Sequence, residues 1–293
     1  MISDDLVLLP VADASCCGPD DACAPEPAAA ASSAFGASPD AVRAAVRATY
    51  AAAATASPAP VDGCGPACGC TPGAALGVDF ICDAYADLAG YVPDADLRLG
   101  CGLPTEHAAL AEGETVLDLG SGAGIDAFVA RRAVCESGRV IGVDMTPEMI
   151  ARARANAASL GYANVVFRLG EIEALPVDAG TVDVVVSNCV LNLVPDKAAA
   201  FAEMHRVLRP GGRFCLSDVV LRGDLPAAVR ASAEMWGACV AGALPEAAYL
   251  DGLRRAGFAD ARVVEAKDLP VPAEYGVAPG TVVSVTVVGT KAA

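Results

Sequence analysis

The chain has 293 residues, with 36 acidic against 20 basic side chains and a net charge of −16. So acidic a chain is ill suited to wrapping a phosphate backbone, which calls for clustered Lys and Arg. No apolar run reaches the roughly 18 residues of a membrane span, so neither nucleic acid nor a bilayer is an expected partner.

Twelve cysteines are many for this length. MISDDLVLLPVADAS (1–15) has no basic residue before its short apolar run and does not read as a secretory leader. The expected setting is cytoplasmic, where cysteines serve metal or thiol chemistry rather than a disulfide framework. Cys135 and Cys215 fall in apolar helix or strand patterns and are expected to be small core residues.

Residues 1–40 are rich in Ala, Pro, Ser and Asp and show little periodicity, so they are not expected to pack. A Cys-containing tail is drawn at 1–45. AVRAAVRATYAAAA (41–54) sets Val42 and Val46 four apart and predicts a short helix. ASPAPVDGCGPACGCTPG (56–73) is a Pro- and Gly-dense loop, and a Cys-rich segment of short pieces runs over 46–110, ending in RLGCGLP. From Gly113 the pattern alternates. TVLDLG (115–120), RVIGVDM (139–145), VVFRLG (165–170), VDVVVSN (182–188) and GRFCLSDVV (212–220) read as strands. Helices are predicted over IDAFVARRAV, TPEMIARARANAASLG (146–161) and DKAAAFAEMHRVLR (196–209). In the second of these Thr146 is the N-cap, Pro147 the first turn and Gly161 the stop. Nearly continuous apolar strands alternating with helices mean a parallel sheet covered on both faces. This core is bounded at 111–222. Residues 223–293, with a helix at 246–257 and two strand-like stretches near 260–268 and 281–291, are expected to form a lid or cap.

LDLGSGAGID sets Gly120, Gly122 and Gly124 at a strand-to-helix turn, where the backbone turns tightly and a ligand comes close. Asp144 ends the next strand, where a carboxylate can accept both hydroxyls of a ribose. The Gly-x-Gly-x-Gly spacing lacks the extra residue of the dinucleotide fingerprint. With LRPGGRF (208–214) downstream, the stretch of about 105–222 resembles class I S-adenosylmethionine-dependent methyltransferases. The resemblance implies a Rossmann-like α/β fold: a seven-stranded, mostly parallel sheet with its last strand antiparallel, here with an N-terminal extension and a C-terminal α+β cap. It implies S-adenosylmethionine as cofactor. Asp118 would shape the methionine end, Gly120, Gly122 and Gly124 would line the cofactor, and Asp144 would hold the ribose. Met145 would lie against the adenine, with Gly170, Glu171 and Ile172 where the fold contacts that ring. Asn188 would face the methyl-transfer site.

Three further thiols suggest the acceptor. Cys189 follows VDVVVSN, at the carboxyl end of a strand, where open parallel sheets bind ligands. Cys101 stands between glycines in GCGLP, and Cys239 among small residues in WGACVAGALP. Accessible thiols from three distant segments suit a soft, three-coordinate, pyramidal centre such as arsenite. Zinc would want a fourth ligand and paired Cys-x-x-Cys spacing, which these three lack. The alternative for Cys189 is a buried residue capping a strand. GCGLP, LDLGSGAGID, IGVDMTPEMI, FRLGEIEALPV, SNCVLNLVPDK, RVLRPGGRF, LSDVVL and CVAGAL, in this order over about 98–258, resemble the arsenite methyltransferases. That resemblance implies that Cys101, Cys189 and Cys239 bind trivalent arsenic, delivered as arsenite or its thiol adducts, in arsenic detoxification. It also implies a fourth, more N-terminal redox cysteine, usually after Tyr-Gly. Here Tyr50-Ala51 is followed by Cys64, Cys68 and Cys70, so Cys64 or Cys68 takes that role, with thioredoxin or glutathione as reductant. Cys16, Cys17 and Cys23 either hand arsenic over or are incidental, or the two N-terminal clusters make a small zinc site. Neither His107 nor His205 sits where a general base would. The competing readings are a class I methyltransferase for another small molecule and a non-catalytic metalloid-binding protein.

Overall fold

A computed structural model describes residues 38–55 and 85–293. Its centre is a seven-stranded sheet ordered β3-β2-β1-β4-β5-β7-β6. The strands are β1 (Thr115–Leu119), β2 (Arg139–Asp144), β3 (Val165–Leu169), β4 (Val182–Asn188), β5 (Leu208–Leu221), β6 (Arg262–Asp268) and β7 (Val282–Thr290). β1 to β5 pair in parallel, while β7 runs antiparallel between β5 and β6. Val116, Leu117 and Leu119 of β1 and Val184, Val185 and Val186 of β4 have no exposed surface. Such unbroken apolar runs are what a strand covered on both faces requires.

The helices of the described residues are α1 (Pro39–Thr55), α2 (Pro104–His107), α3 (Ile125–Val134), α4 (Pro147–Ser159), α5 (Lys197–Val207), α6 (Ala227–Arg230), α7 (Ala233–Gly237) and α8 (Glu246–Arg255). α4 starts after Thr146, whose backbone is extended but whose side chain makes no capping bond, and Pro147 opens the first turn. Gly161, at φ 66°, turns the chain away with open space around it. α5 is capped by Asp196, which accepts from the Ala199 amide at 3.0 Å.

The structure revises four readings of the sequence. α1 begins at Pro39, so a tail ending at residue 45 would cut through a helix that buries Val42 and Val46. The C-terminal region is no separate cap, because β6 and β7 complete the same sheet as the core and only the stretch between β5 and α8 stands over its end. β5 starts already at Leu208, paired with Val182, and its register shifts before Arg213 pairs with Val184; the Pro-Gly-Gly turn is a bulge near the start of an inner strand. Cys215 is fully buried, as expected, but Cys135 is only half-buried. It caps α3 at φ 62°, with its thiol against the turn's carbonyl oxygens.

Candidate functional site

The parallel strands β1, β2 and β4 end together, and a cleft of about 1040 Å³, counting its open mouth, lies over their carboxyl ends. The glycine turn after β1 forms its floor. Gly120, Gly122 and Gly124 have φ of 65°, 50° and 102°, a region that favours glycine. They do different things. A Cβ on Gly120 would run into Val190, and one on Gly124 would sit 2.8 Å from Phe128 and Phe167, whereas Gly122 has nothing nearer than Met149 Sδ at 3.9 Å. Packing thus fixes Gly120 and Gly124. Gly120 and Gly122 line the cleft, while Gly124, expected from the sequence to line the cofactor, is turned to the packing side against Phe128 and Phe167 and does not.

Asp144 is half-buried at the end of β2. Its carboxylate accepts the Gly122 amide at 3.0 Å and the Thr146 amide at 2.8 Å. Each oxygen keeps a lone pair for a ligand hydroxyl. Burial raises its pKa, and the two amides oppose that rise. Met145, Gly170, Glu171 and Ile172 line the same cleft. Asp118 does not line it. It lies behind the turn, 2% exposed, with Oδ2 lacking a partner. Burial, with Asp126 and Asp144 adding, lifts it well above the carboxylate range.

Asn188 lines the cleft as the last residue of β4, and its amide is heavily engaged. Oδ1 accepts the Cys101 amide at 2.9 Å, and Nδ2 donates to Gly102 O at 2.7 Å and to Tyr85 Oη at 2.5 Å. Tyr85 Oη in turn donates to Asp126 Oδ2 at 2.8 Å. The loop that carries Cys101 is therefore tied to the residue before Cys189. Burial raises Asp126 to about 6, against the hydrogen bonds from Tyr85 and Asn188. Asp126 Oδ1 has no partner.

The three thiols named from the sequence share one apolar cluster with Leu193, Val219 and Val240. All are buried and unoxidised. Cys101 and Cys239 lie close enough to Cys189 to add to burial in raising its thiol. Cys239 Sγ also donates to Cys189 O at 2.9 Å, and Ser284 Oγ of β7 holds Cys101 O at 2.5 Å. Burial raises the Cys101 and Cys189 thiols, so they stay protonated in this pocket. Cys189 has φ 57° and Cys239 has φ 63°. Both are thus in the left-handed region, which costs a residue with a Cβ roughly 1–2 kcal/mol. The thiols pack against one another. Among the described residues no three His, Cys, Asp or Glu side chains surround a position for a metal ion. Cys64 and Cys68 lie outside the described residues, as do Cys16, Cys17 and Cys23.

A family model described as "Methyltransferase domain" matches residues 110–267, more than half of the chain. The chain belongs to the methyltransferase domain family. The arsenite methyltransferase of Halobacterium salinarum is 55% identical over 157 residues, covering 54% of this chain and 40% of that protein. That of Aquipseudomonas alcaligenes is 44% identical over 187 residues, covering 61% and 53%. Among solved structures, an arsenic(III) S-adenosylmethionine methyltransferase from Chlamydomonas reinhardtii superposes with a TM-score of 0.60 at 38% identity, over 71% of this chain and 72% of that one. The chain spans about half the length of the curated relatives it matches.

Several contacts around this methyltransferase domain's cleft carried no sequence signal. Tyr50 of α1 points its hydroxyl at Gly237 O, 3.4 Å away. Burial, then Cys239 and Cys189, raise it well above 10. Arg43 of α1 reaches Glu173 at 2.9 Å and Glu171 at 3.5 Å on the opposite wall. Tyr85 lies in no recognisable string, whereas Asp126 ends the Gly-rich one. The histidines are elsewhere: His107 pairs with Glu265 at 3.2 Å, and the His205 ring packs on Phe258 at 5.3 Å. No helix of the described residues is long and apolar enough to cross a membrane.

Proposed function

We propose that this methyltransferase domain moves a methyl group from S-adenosylmethionine to trivalent arsenic held by Cys101, Cys189 and Cys239. The observation that carries the reading is the contact of three thiols from distant segments beside a nucleoside-sized cleft.

The cleft fits the cofactor chemically. Asp144 has lone pairs free for ribose hydroxyls, and Met145 and Ile172 give apolar surface for an adenine. Asp126 Oδ1, buried and unpartnered, suits an ammonium group. When bound, S-adenosylmethionine supplies an electrophilic methyl group on a good leaving group.

The chain's own groups do the rest. Each protonated thiol replaces one ligand on arsenic: the S–H proton leaves with hydroxide as water, or with a displaced thiolate as thiol, and an As–S bond forms. Cys101 and Cys189, held neutral by burial, suit this exchange, because neither has to ionise in an apolar pocket. The arsenic lone pair carries no proton, so no general base is needed, in accord with the remote positions of both histidines. Catalysis then rests on alignment of the reacting atoms. Transfer leaves arsenic formally pentavalent. We assign the returning electron pair to two thiols that close into a disulfide, Cys64 or Cys68 with a site cysteine, reset in the cytoplasm by thioredoxin or glutathione.

The full chain is incubated with methyl-labelled S-adenosylmethionine, arsenite and glutathione, and methylated arsenic is separated chromatographically. Label on arsenic that requires arsenite is expected. Cys189→Ser and Cys239→Ser should each lower its rate at least a hundredfold while nucleotide binding persists. Arsenite binding without label would leave a metalloid-binding protein, and neither binding nor label would leave a methyltransferase for another acceptor.

A further inference from the structure

Hydrogen bonds link the arsenic side of the site to the cofactor side through two uncharged side chains. The Cys101 amide and Gly102 O are both held by Asn188, at 2.9 and 2.7 Å. Asn188 Nδ2 donates to Tyr85 Oη at 2.5 Å, Tyr85 Oη donates to Asp126 Oδ2 at 2.8 Å, and a longer bond of 3.3 Å runs directly from Asn188 Nδ2 to Asp126 Oδ2. Gly100 is pressed against the same amide, where a Cβ would come within 2.7 Å of Nδ2. Cys101 is thus tied, through its amide and its neighbour's carbonyl, to the residue that precedes Cys189. At the far end the relay is unfinished. Asp126 is buried on the cleft wall, and its Oδ1 has no partner.

We propose that Asn188, Tyr85 and Asp126 are positioning residues that couple the cleft to the Cys101 loop, so that a ligand bringing an ammonium group to Asp126 tightens trivalent arsenic at the thiols. The inference rests on the reading of the thiols as the arsenic site. A cation on Oδ1 fixes the carboxylate, the carboxylate holds Asn188 both through Tyr85 Oη and directly, and Asn188 holds the Cys101 backbone. Arsenic binding to an already ordered loop then loses less conformational entropy. By linkage the effect is reciprocal. The relevant part of the nucleotide is its amino-acid end, because the sugar and ring contact Asp144 and the apolar walls, which no bond of the relay reaches.

Two nucleotides separate these parts. S-adenosylhomocysteine carries the ammonium, and 5′-methylthioadenosine has the same nucleoside without it. Arsenite is titrated into the full chain with no nucleotide and with each of these at saturation, established by calorimetry. Binding is followed by the fluorescence of Trp236, the chain's one tryptophan, three residues before Cys239, and arsenic retained is counted by mass spectrometry. S-adenosylhomocysteine should tighten arsenite by about fivefold or more, and arsenite should tighten S-adenosylhomocysteine by the same factor. Methylthioadenosine should leave the arsenite affinity unchanged. In Tyr85→Phe, which lacks the central hydroxyl and keeps only the longer direct Asn188–Asp126 bond, the factor should fall, whatever happens to either affinity alone. Equal arsenite affinity in all three arms, an equal effect of both nucleotides, or an undiminished factor in Tyr85→Phe would overturn the coupling. Should Tyr85→Phe fail to fold, the comparison of the two nucleotides on the native chain decides. Failure of arsenite to bind in any arm would instead overturn the arsenic site itself.

Discussion

Two of the three thiol residues hold a backbone conformation that side chains ordinarily avoid. Cys189 at φ 57° and Cys239 at φ 63° both turn the chain sharply at the mouth of the sheet. Strain of this kind persists where surrounding structure over-determines it. Here the Cys189 amide is held by Ser217 O at 2.8 Å, and the Cys239 amide by Trp236 O at 2.9 Å. A direct test compares two truncations of one side chain. Cys189→Gly relieves the left-handed strain and Cys189→Ala keeps it. Urea denaturation should therefore find the glycine variant more stable than the alanine variant by about 0.5–1 kcal/mol, after the entropy glycine gains in the unfolded chain is deducted. Both should be inactive. At an ordinary helix or strand position the order would be reversed. The strain was invisible in the sequence, since cysteine gives no hint of positive φ, whereas Asp144 and the three glycines were legible because strand, turn and acid follow one another in order.

At the scale of elements, α1 walls the cleft by charge as well as by packing. Arg43 stands 2.9 Å from Glu173 and 3.5 Å from Glu171, and Arg47 is 3.6 Å from Glu171. The other end of the helix is held by Arg152, which donates to Ala54 O at 2.9 Å. Arg43→Ala should cost about 1 kcal/mol of this docking, seen as a roughly fivefold weaker binding of S-adenosylhomocysteine by calorimetry. The native protein should lose affinity as salt rises to 0.5 M, and the variant should lose less, because the ion pairs that salt screens are already gone. The helix itself was readable from Val42 and Val46. Its partners were not, because the Arg43–Glu173 contact spans 130 residues. The five parallel strands were equally plain, each a short apolar run between turns. The bulge at the start of β5 escaped because Pro-Gly-Gly reads locally as a turn, and only its neighbour β4 makes it part of a sheet.

Across the whole molecule, buried carboxyls set a pH signature. Asp218 of β5 is 1% exposed, and burial pushes it up to about 7, against hydrogen bonds from the Val219 amide and Tyr249 and the charge of Lys197. A carboxyl with a raised folded pKa binds its proton more tightly folded than unfolded. Between about pH 4, where the unfolded group titrates, and about pH 7, stability therefore falls as pH rises, and it levels off above. Glu114 and Glu203 pull the other way, since Arg213 and Arg206 hold them low. The difference between native protein and Asp218→Asn isolates the one group. Measured by denaturation from pH 4 to 8, native minus variant stability should decline through that window and then stay flat. A flat difference throughout would mean that Asp218 titrates normally.

The antiparallel β7 has a consequence for how the protein is made. Its Ser284 clasps the carbonyl of Cys101 from 183 residues away. A nascent chain that has emerged from the ribosome only as far as Gly280 already displays Cys101, Cys189 and Cys239, yet the clasp of β7 on the first of them is still missing. Reactive sulfurs and their scaffold are thus separated in time. On the proposed function, arsenite present during synthesis meets these thiols before β7 closes over them, so the speed with which the final hairpin joins the sheet sets how long the pocket stands incomplete.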